Sequence, residues 1–278
     1  MTYPFLDHPG PIPFAHRGGA GDRPENTLPA FEAAVRLGYR YVETDVHATA
    51  DGVLLAFHDD RLDRVTDRSG VVAALPYSEV ARARVDGREP IPRFEELLHA
   101  WPDLRVNVDP KDDAAVDPLV AAIRRTGAVD RVCVGSFSGR RLARVRGALG
   151  PRLCTSLGPR GVAALRAASW RGRPFRRFVG TEGAACVQVP LRHRGLPIVD
   201  RRFVAAAHAL GLPVHVWTVD DPGAMETLLD LGVDGLMTDR PRVLRDVLVR
   251  RGQWTAGPAT ASAGPGASPG ASATVPVP

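Results

Sequence analysis

Two carboxylates two residues apart, with a histidine following shortly after, make Val42–Asp60 (VETDVHATADGVLLAFHDD) the chemically densest stretch of the chain. Alternation along Tyr41–Val46 sends Tyr41, Glu43 and Asp45 to one face of a strand and Val42, Thr44 and Val46 to the other. Glu43 and Asp45 then stand roughly 6.5 Å apart at Cα. Both can reach one hard divalent cation, which takes oxygen ligands. Asp51-Gly52 signals a tight turn, and the apolar run Val53–Phe57 behind it ends on His58-Asp59. Alone, the two acids would serve equally well as a solvated strand edge. Their meaning depends on what else gathers beside them.

The surrounding elements give a frame for that gathering. Short apolar runs predict strands at Phe14–His16, Tyr41–Val46, Arg105–Val108, Arg131–Gly135, Leu153–Ser156, Cys186–Val189, Val214–Val219 and Gly235–Met237. Helical patterns lie between them, at Leu28–Leu37, Arg93–Ala100, Ala114–Thr126, Arg140–Leu149, Gly161–Ala168, Arg201–Leu210, Ala224–Leu231 and Arg242–Arg250. Eight strand-plus-helix units point to an α/β fold, a (β/α)₈ TIM barrel. A doubly wound sheet would call for a phosphate-binding glycine fingerprint that the sequence lacks. Residues 60–90 break the rhythm as a small insertion after the second strand. The barrel is expected over residues 1–254. Thr255–Pro278, uncharged and rich in Ala, Gly, Pro, Ser and Thr, reads as a disordered tail.

Composition narrows the class. Hydrophobic residues are 44% and charged residues 24% of the 278, ordinary for a globular protein. No apolar run is long enough to span a bilayer, and MTYPFLDHPGPIPF does not read as a secretory signal. Cys133, Cys154 and Cys186 are far apart in sequence, odd in number and free of Cys-x-x-Cys spacing. They read as core thiols rather than a disulfide or zinc framework, which points to a reducing, cytoplasmic setting. The +5 charge is uneven: residues 124–177 hold 14 Arg against Asp130 alone. Outer helix faces account for this block better than a membrane surface, and no aromatic nucleic-acid signature accompanies it.

In a barrel the strand C-termini carry the chemistry. The first ends in His16-Arg17, the second in Glu43 and Asp45 with His58 on its loop, and the third in Asp109 and Lys111. The seventh carries Trp217, and the eighth ends in Thr238-Asp239. Carboxylates, two histidines, an arginine and a lysine on neighbouring strands suit an anionic phosphate ester.

The runs HRGGAGDRPENTLPAFEAA, YVETDVHATADGVLLAFHDDRLDRVT, IPRFEELL, VWTVDD and GVDGLMTDRP closely resemble the glycerophosphodiester phosphodiesterase family, in its order, from Phe14 to Pro241. That resemblance implies a (β/α)₈ barrel with a small insertion and a hydrolase of glycerophosphodiesters that releases glycerol 3-phosphate and an alcohol. It implies His16 and His58 as the acid–base pair, Arg17 on the phosphate, and Glu43 and Asp45 as metal ligands. The family's third ligand is usually a Glu two residues before a Lys; Asp109 stands there, with Pro110 between it and Lys111. One divalent cation is expected, Mg²⁺ or Ca²⁺ ahead of Mn²⁺. Lys111 and Trp217 are expected to contact substrate; Trp217 would equally serve as packing at the mouth. Glu25 and Asn26 would serve as caps of the first helix, and Glu25 would equally serve to brace the metal shell. Asp59, Asp239, Glu182, His47, His193, His208 and His215 read as structural or surface residues. The competing reading is a lysophospholipase D acting at a membrane surface. Nucleic acid is not an expected partner.

Overall fold

The computed structural model describes residues 3–171 and 179–257. Eight parallel strands form a ring: β1 (Ile12–His16), β2 (Tyr41–Ala48), β3 (Arg105–Pro110), β4 (Val132–Val134), β5 (Cys154–Thr155), β6 (Val187–Pro190), β7 (Val214–Trp217) and β8 (Gly235–Thr238). Hydrogen-bonded neighbours run β5-β4-β3-β2-β1-β8-β7-β6. The ring closes between β5 and β6 through a parallel bridge at Ser156 and Cys186. Ala185 N–H donates to Thr155 O at 2.8 Å and Leu157 N–H to Cys186 O at 2.8 Å, which supports that closure.

Helices α1 (Leu28–Arg36), α2 (Phe94–Ala100), α3 (Val116–Arg125), α4 (Gly139–Leu149), α5 (Pro159–Arg171), α6 (Arg201–His208), α7 (Pro222–Leu231) and α8 (Pro241–Arg250) follow strands in turn. All eight predicted units are present, displaced by a few residues at their ends. Their boundaries have local causes. Asp221 accepts from Ala224 N–H at the start of α7, and Gly232, with φ 85°, ends it in the left-handed region. Thr27, not Glu25 or Asn26, caps α1 by accepting from Ala30 N–H. Asn26 is instead buried, with its Oδ1 accepting from Thr44 Oγ1 on β2 at 2.8 Å.

The apolar run after Asp51-Gly52 is itself a strand, Leu54–Ala56, antiparallel to β2. It leads into the insertion, whose short helix Tyr77–Val80 and hairpin Arg84–Val85/Glu89–Pro90 enclose a small core of Leu62, Val72, Val80 and Val85. The cysteines do converge. Cys133 on β4 pairs in register with Cys154 on β5, and Cys186 stands just before β6, so the three meet inside the barrel as free buried thiols, with Cys133 Sγ and Cys186 Sγ 4.0 Å apart. Part of the arginine block is paired with acids outside it. Arg125 pairs with Glu95, Arg141 with Asp113 and Arg144 with Asp117, so these are helix faces laced to their neighbours. Part of the block, 172–177, lies outside the described residues. Among those described, no helix is long and apolar enough to cross a membrane.

The first residues of the expected tail are in contact with the barrel. The Trp254 ring packs edge-on against Tyr39 at 5.1 Å, and Gly257 N–H donates to Gly38 O at 2.9 Å. Residues 255–257 therefore lie against the α1–β2 turn; the rest of the predicted tail falls outside the described residues. Removing everything after Gly257 is expected to leave the melting temperature unchanged. Ending the chain at Arg251 deletes Trp254 from both main core clusters and is expected to cost about 2 kcal/mol or more. Calorimetry of the two truncations compares them directly.

Candidate active site

The eight residues predicted for the site, His16, Arg17, Glu43, Asp45, His58, Asp109, Lys111 and Trp217, all line one cavity of about 700 Å³ at the strand C-termini. Each arrives there by its strand. His16 ends β1, and the chain turns sharply through Arg17 (φ 52°), Gly18 (φ 82°) and Gly19 (φ 102°). A Cβ on Gly18 would lie 2.9 Å from Ala30, and one on Gly19 would lie 2.6 Å from Pro241 Cγ. Only glycine lets this turn pack under the starts of α1 and α8. Register does the rest: Glu43 pairs with His16 and Asn107, and Asp45 pairs with Asp109.

The basic groups interleave with the acids. Lys111 Nζ sits 2.7 Å from Asp45 Oδ1 and 3.0 Å from Asp109 Oδ2. Arg17 Nη1 donates to Glu25 Oε1 at 3.0 Å, and its backbone N–H donates to Glu43 Oε2 at 3.3 Å. Arg17 Nε is 3.2 Å from Asp45 Oδ2 but is not aligned for a hydrogen bond. Burial, reinforced by the Asp45 charge, pushes the Glu43 carboxyl up to about 7. Burial also opposes ionisation of Asp45, but Lys111 and Arg17 outweigh it and hold that carboxyl low. For Asp109 burial wins over Lys111, and its carboxyl is raised.

The histidines sit in opposed environments. His16 Nδ1 lies 2.7 Å from Asp239 Oδ1, which leaves Nε2 turned inward, 3.6 Å from Glu43 Oε2. Burial disfavours its charge, yet Glu43 and Asp239 together overcome burial and raise it. His58 Nδ1 lies 2.6 Å from Asp59 Oδ1. There burial prevails over Asp45 and Asp59, and the ring is lowered from the ordinary histidine value. In each ring the carboxylate partner assigns the proton to Nδ1 and frees Nε2 for the cavity.

Asp239 and Asp59, read from sequence as structural, thus each orient a site histidine. The HD dipeptide could have flagged Asp59. Asp239 is 223 residues from His16, and only closure of the ring joins them. Arg64, from the insertion, carries no sequence signal of a role. Its Nε and Nη2 hold Asp59 at 2.5 and 2.9 Å, while Nη1 and Nη2 hold Glu25 at 3.0 and 2.7 Å. One guanidinium therefore braces both the Asp59–His58 pair and the Glu25–Arg17 pair. Arg64→Ala is expected to lower kcat by about tenfold, with Arg64→Lys recovering only part, because a point charge cannot hold two carboxylates bidentately. Steady-state kinetics of both variants are the check. Glu182 and His208 lie away from the cavity, and His47 pairs with Asp112 at 2.7 Å; His193 lines the cavity wall.

The acids suit a cation in donor chemistry. Three carboxylates line the same cavity, and Asp45 Oδ2 and Asp109 Oδ1 are buried without a hydrogen-bond partner. All are hard oxygen donors of the kind Mg²⁺ and Ca²⁺ take. Lys111 now stands between Asp45 and Asp109, and among the described residues the three acids' donor oxygens do not close to within 4.8 Å of one another.

Known proteins resemble this chain in sequence and in fold. Residues 16–243 match the glycerophosphoryl diester phosphodiesterase family. A Mycobacterium tuberculosis protein bearing the name probable glycerophosphodiester phosphodiesterase 2 is 44% identical over 254 residues, covering 91% of this chain and 96% of its own. A structure from Silicibacter pomeroyi aligns with TM-score 0.76 at 26% identity, over 91% of this chain and all of that one. A phosphodiesterase from Oleispira antarctica, solved with the product sn-glycerol-3-phosphate, aligns with TM-score 0.71 at 22% identity, over 86% and 97%. This chain, matched through nearly all of its barrel, belongs to the glycerophosphoryl diester phosphodiesterase family.

Proposed function

We propose that this enzyme hydrolyses glycerophosphodiesters to glycerol 3-phosphate and an alcohol, with His58 as general base and His16 as general acid. The observation that carries the assignment is the opposite tuning of the two rings, His16 raised and His58 lowered. Neutral His58 removes the proton from the attacking hydroxyl, whether water or the substrate's neighbouring glycerol hydroxyl. In the second case a cyclic phosphate forms first and water opens it. Protonated His16 delivers its proton to the departing alkoxide, so one proton enters and one leaves. Arg17 and Lys111 offset the charge that builds on the phosphoryl oxygens.

Glu43, Asp45 and Asp109 would hold a divalent cation, which supplies Lewis-acid polarisation of a phosphoryl oxygen when bound. The buried oxygens of Asp45 and Asp109 that accept no hydrogen bond, and the raised Glu43 carboxyl, support that placement, since each is relieved by a positive charge. Mg²⁺ and Ca²⁺ are the ions favoured by an all-oxygen set, with Mn²⁺ next. Activity across a phosphodiester panel, measured after chelation and after adding back each ion, tests both parts. Activity is expected to vanish on chelation. Asp109→Asn is expected to weaken the ion's apparent affinity about 10- to 100-fold, because an amide oxygen lacks the charge that holds a hard cation. Asp109→Glu is expected to be tolerated far better. Equal behaviour of the Asn and Glu variants would remove Asp109 from the ligand set.

A further inference from the structure

The cavity is much larger than the polar site at its base. A phosphoglycerol unit of about ten non-hydrogen atoms fills a minor part of a space in the range that ordinarily holds a drug-sized ligand. The remainder runs away from β1–β3, beneath the loops after β4, β5 and β6, and its character changes along the way. Its walls there include Phe137, Leu157, Val162, Ala163, Trp170 and Ile198. Phe137 and Trp170 are 66% and 60% exposed, and Leu196, on the hairpin Arg192–His193/Leu196–Pro197, is 67% exposed. Those are three of the five large exposed apolar side chains among the described residues, and all three belong to loops or helices that form this wall or its rim. Isolated exposed apolar residues are ordinary, but a cluster at the mouth of a catalytic cavity marks a ligand surface.

The wall is also braced by contacts of its own. The Arg166 guanidinium lies 4.3 Å from the centre of the Trp170 ring and is itself anchored by Asp200 at 2.7 Å. The Phe137 ring meets Trp217 edge-on at 5.7 Å, which joins the apolar wall to the polar floor. The one charge that α5 brings to this wall, Arg166, is therefore already paired.

We infer that the annex binds a hydrocarbon chain carried by the leaving alcohol, so that the natural substrates are amphiphilic glycerophosphodiesters. This rests on the phosphodiesterase reading above and narrows its substrate class. The glycerol half of a diester has two free hydroxyls, which these apolar walls would leave unpaired. A chain on the other ester oxygen has no such requirement and gains from every methylene it buries. Continuity of floor and annex in one cavity lets both halves be held at once.

A glycerophosphodiester series with ethyl, butyl, hexyl and octyl alcohols, kept below aggregation, tests the inference. The expected result is a kcat/KM that climbs with chain length, by up to about fourfold per buried methylene, and by at least tenfold from ethyl to octyl. Ala163→Trp, at an exposed position of α5, fills the annex and is expected to cut the octyl-to-ethyl ratio at least tenfold. Trp170→Ala, which takes away a wall without filling space, is expected to lower the same ratio less. Matched melting temperatures show that the variants fold. A flat or falling series would overturn the inference, and so would a rising series that neither variant alters. Cleavage of no member at any length would instead overturn the underlying phosphodiesterase reading, and this inference with it.

Discussion

His16→Ala and His58→Ala are each expected to lower kcat by at least about a hundredfold, since each removes a proton-transfer group from the transition state. Folding should be almost untouched, because both rings lie at the strand ends rather than in the main apolar clusters. The pH profile separates their roles. His58 is lowered, so the unprotonated base is available above its folded-state value and is lost as pH falls through it. His16 is raised, so the protonated acid persists until pH climbs through its own value. Both states coexist between the two, giving a bell around the ordinary histidine value of about 6.5. Residual activity of His58→Ala should lose the acid limb, and that of His16→Ala the alkaline limb. A reversed pattern would exchange the roles, and near-normal turnover in either variant would remove that residue from the chemistry.

What the sequence reveals of this site depends on the range over which each contact is determined. Glu43 and Asp45 share a face because a strand alternates, and Asp109 lies beside Asp45 because β3 follows β2 in register. Local pattern is enough for those. Strand and helix identities follow likewise from periodicity, so all eight units were legible and only their ends drifted. Contacts made by closing the ring are of another kind. Asp239 reaches His16 only after seven further units have been laid down, and the thiols of Cys133, Cys154 and Cys186 meet only once β5 joins β6. Arg64 lies in an insertion with no periodicity to announce it, yet it braces both sides of the mouth. Gly257 lies in a run of tail-like composition, yet its N–H reaches Gly38 O, a contact that composition does not announce.

Lys111→Ala is expected to lower kcat/KM by about a hundredfold to a thousandfold, the usual cost of deleting one preorganised charge from a phosphoryl-transfer site. Its Nζ is the closest cation to Asp45 and also touches Asp109, and its backbone N–H is fixed by Val46 O at 3.0 Å. Burial alone would favour the neutral amine, but Asp45 and Asp109 outweigh burial and raise the group, so the charge persists through the working pH range. Removing it leaves Asp45 buried against Arg17 alone, and stability should fall by about 3 kcal/mol at neutral pH. Lys111→Arg asks the sharper question. Of the 36 Lys and Arg residues in the chain, Lys111 is the one lysine. A basic group needed only for charge or solubility is written here as Arg, and this one is not. An ammonium is compact and can nest between two carboxylates at 2.7 and 3.0 Å, whereas a planar guanidinium needs more room and directs its donors along fixed lines. With Arg17 already on the opposite side of Asp45, that room is missing. The conservative variant should therefore keep its melting temperature but lose roughly tenfold in kcat/KM, about 1.4 kcal/mol of transition-state stabilisation. Wild-type kinetics in Lys111→Arg would mean that charge alone matters at this position and that the single lysine reflects composition rather than chemistry.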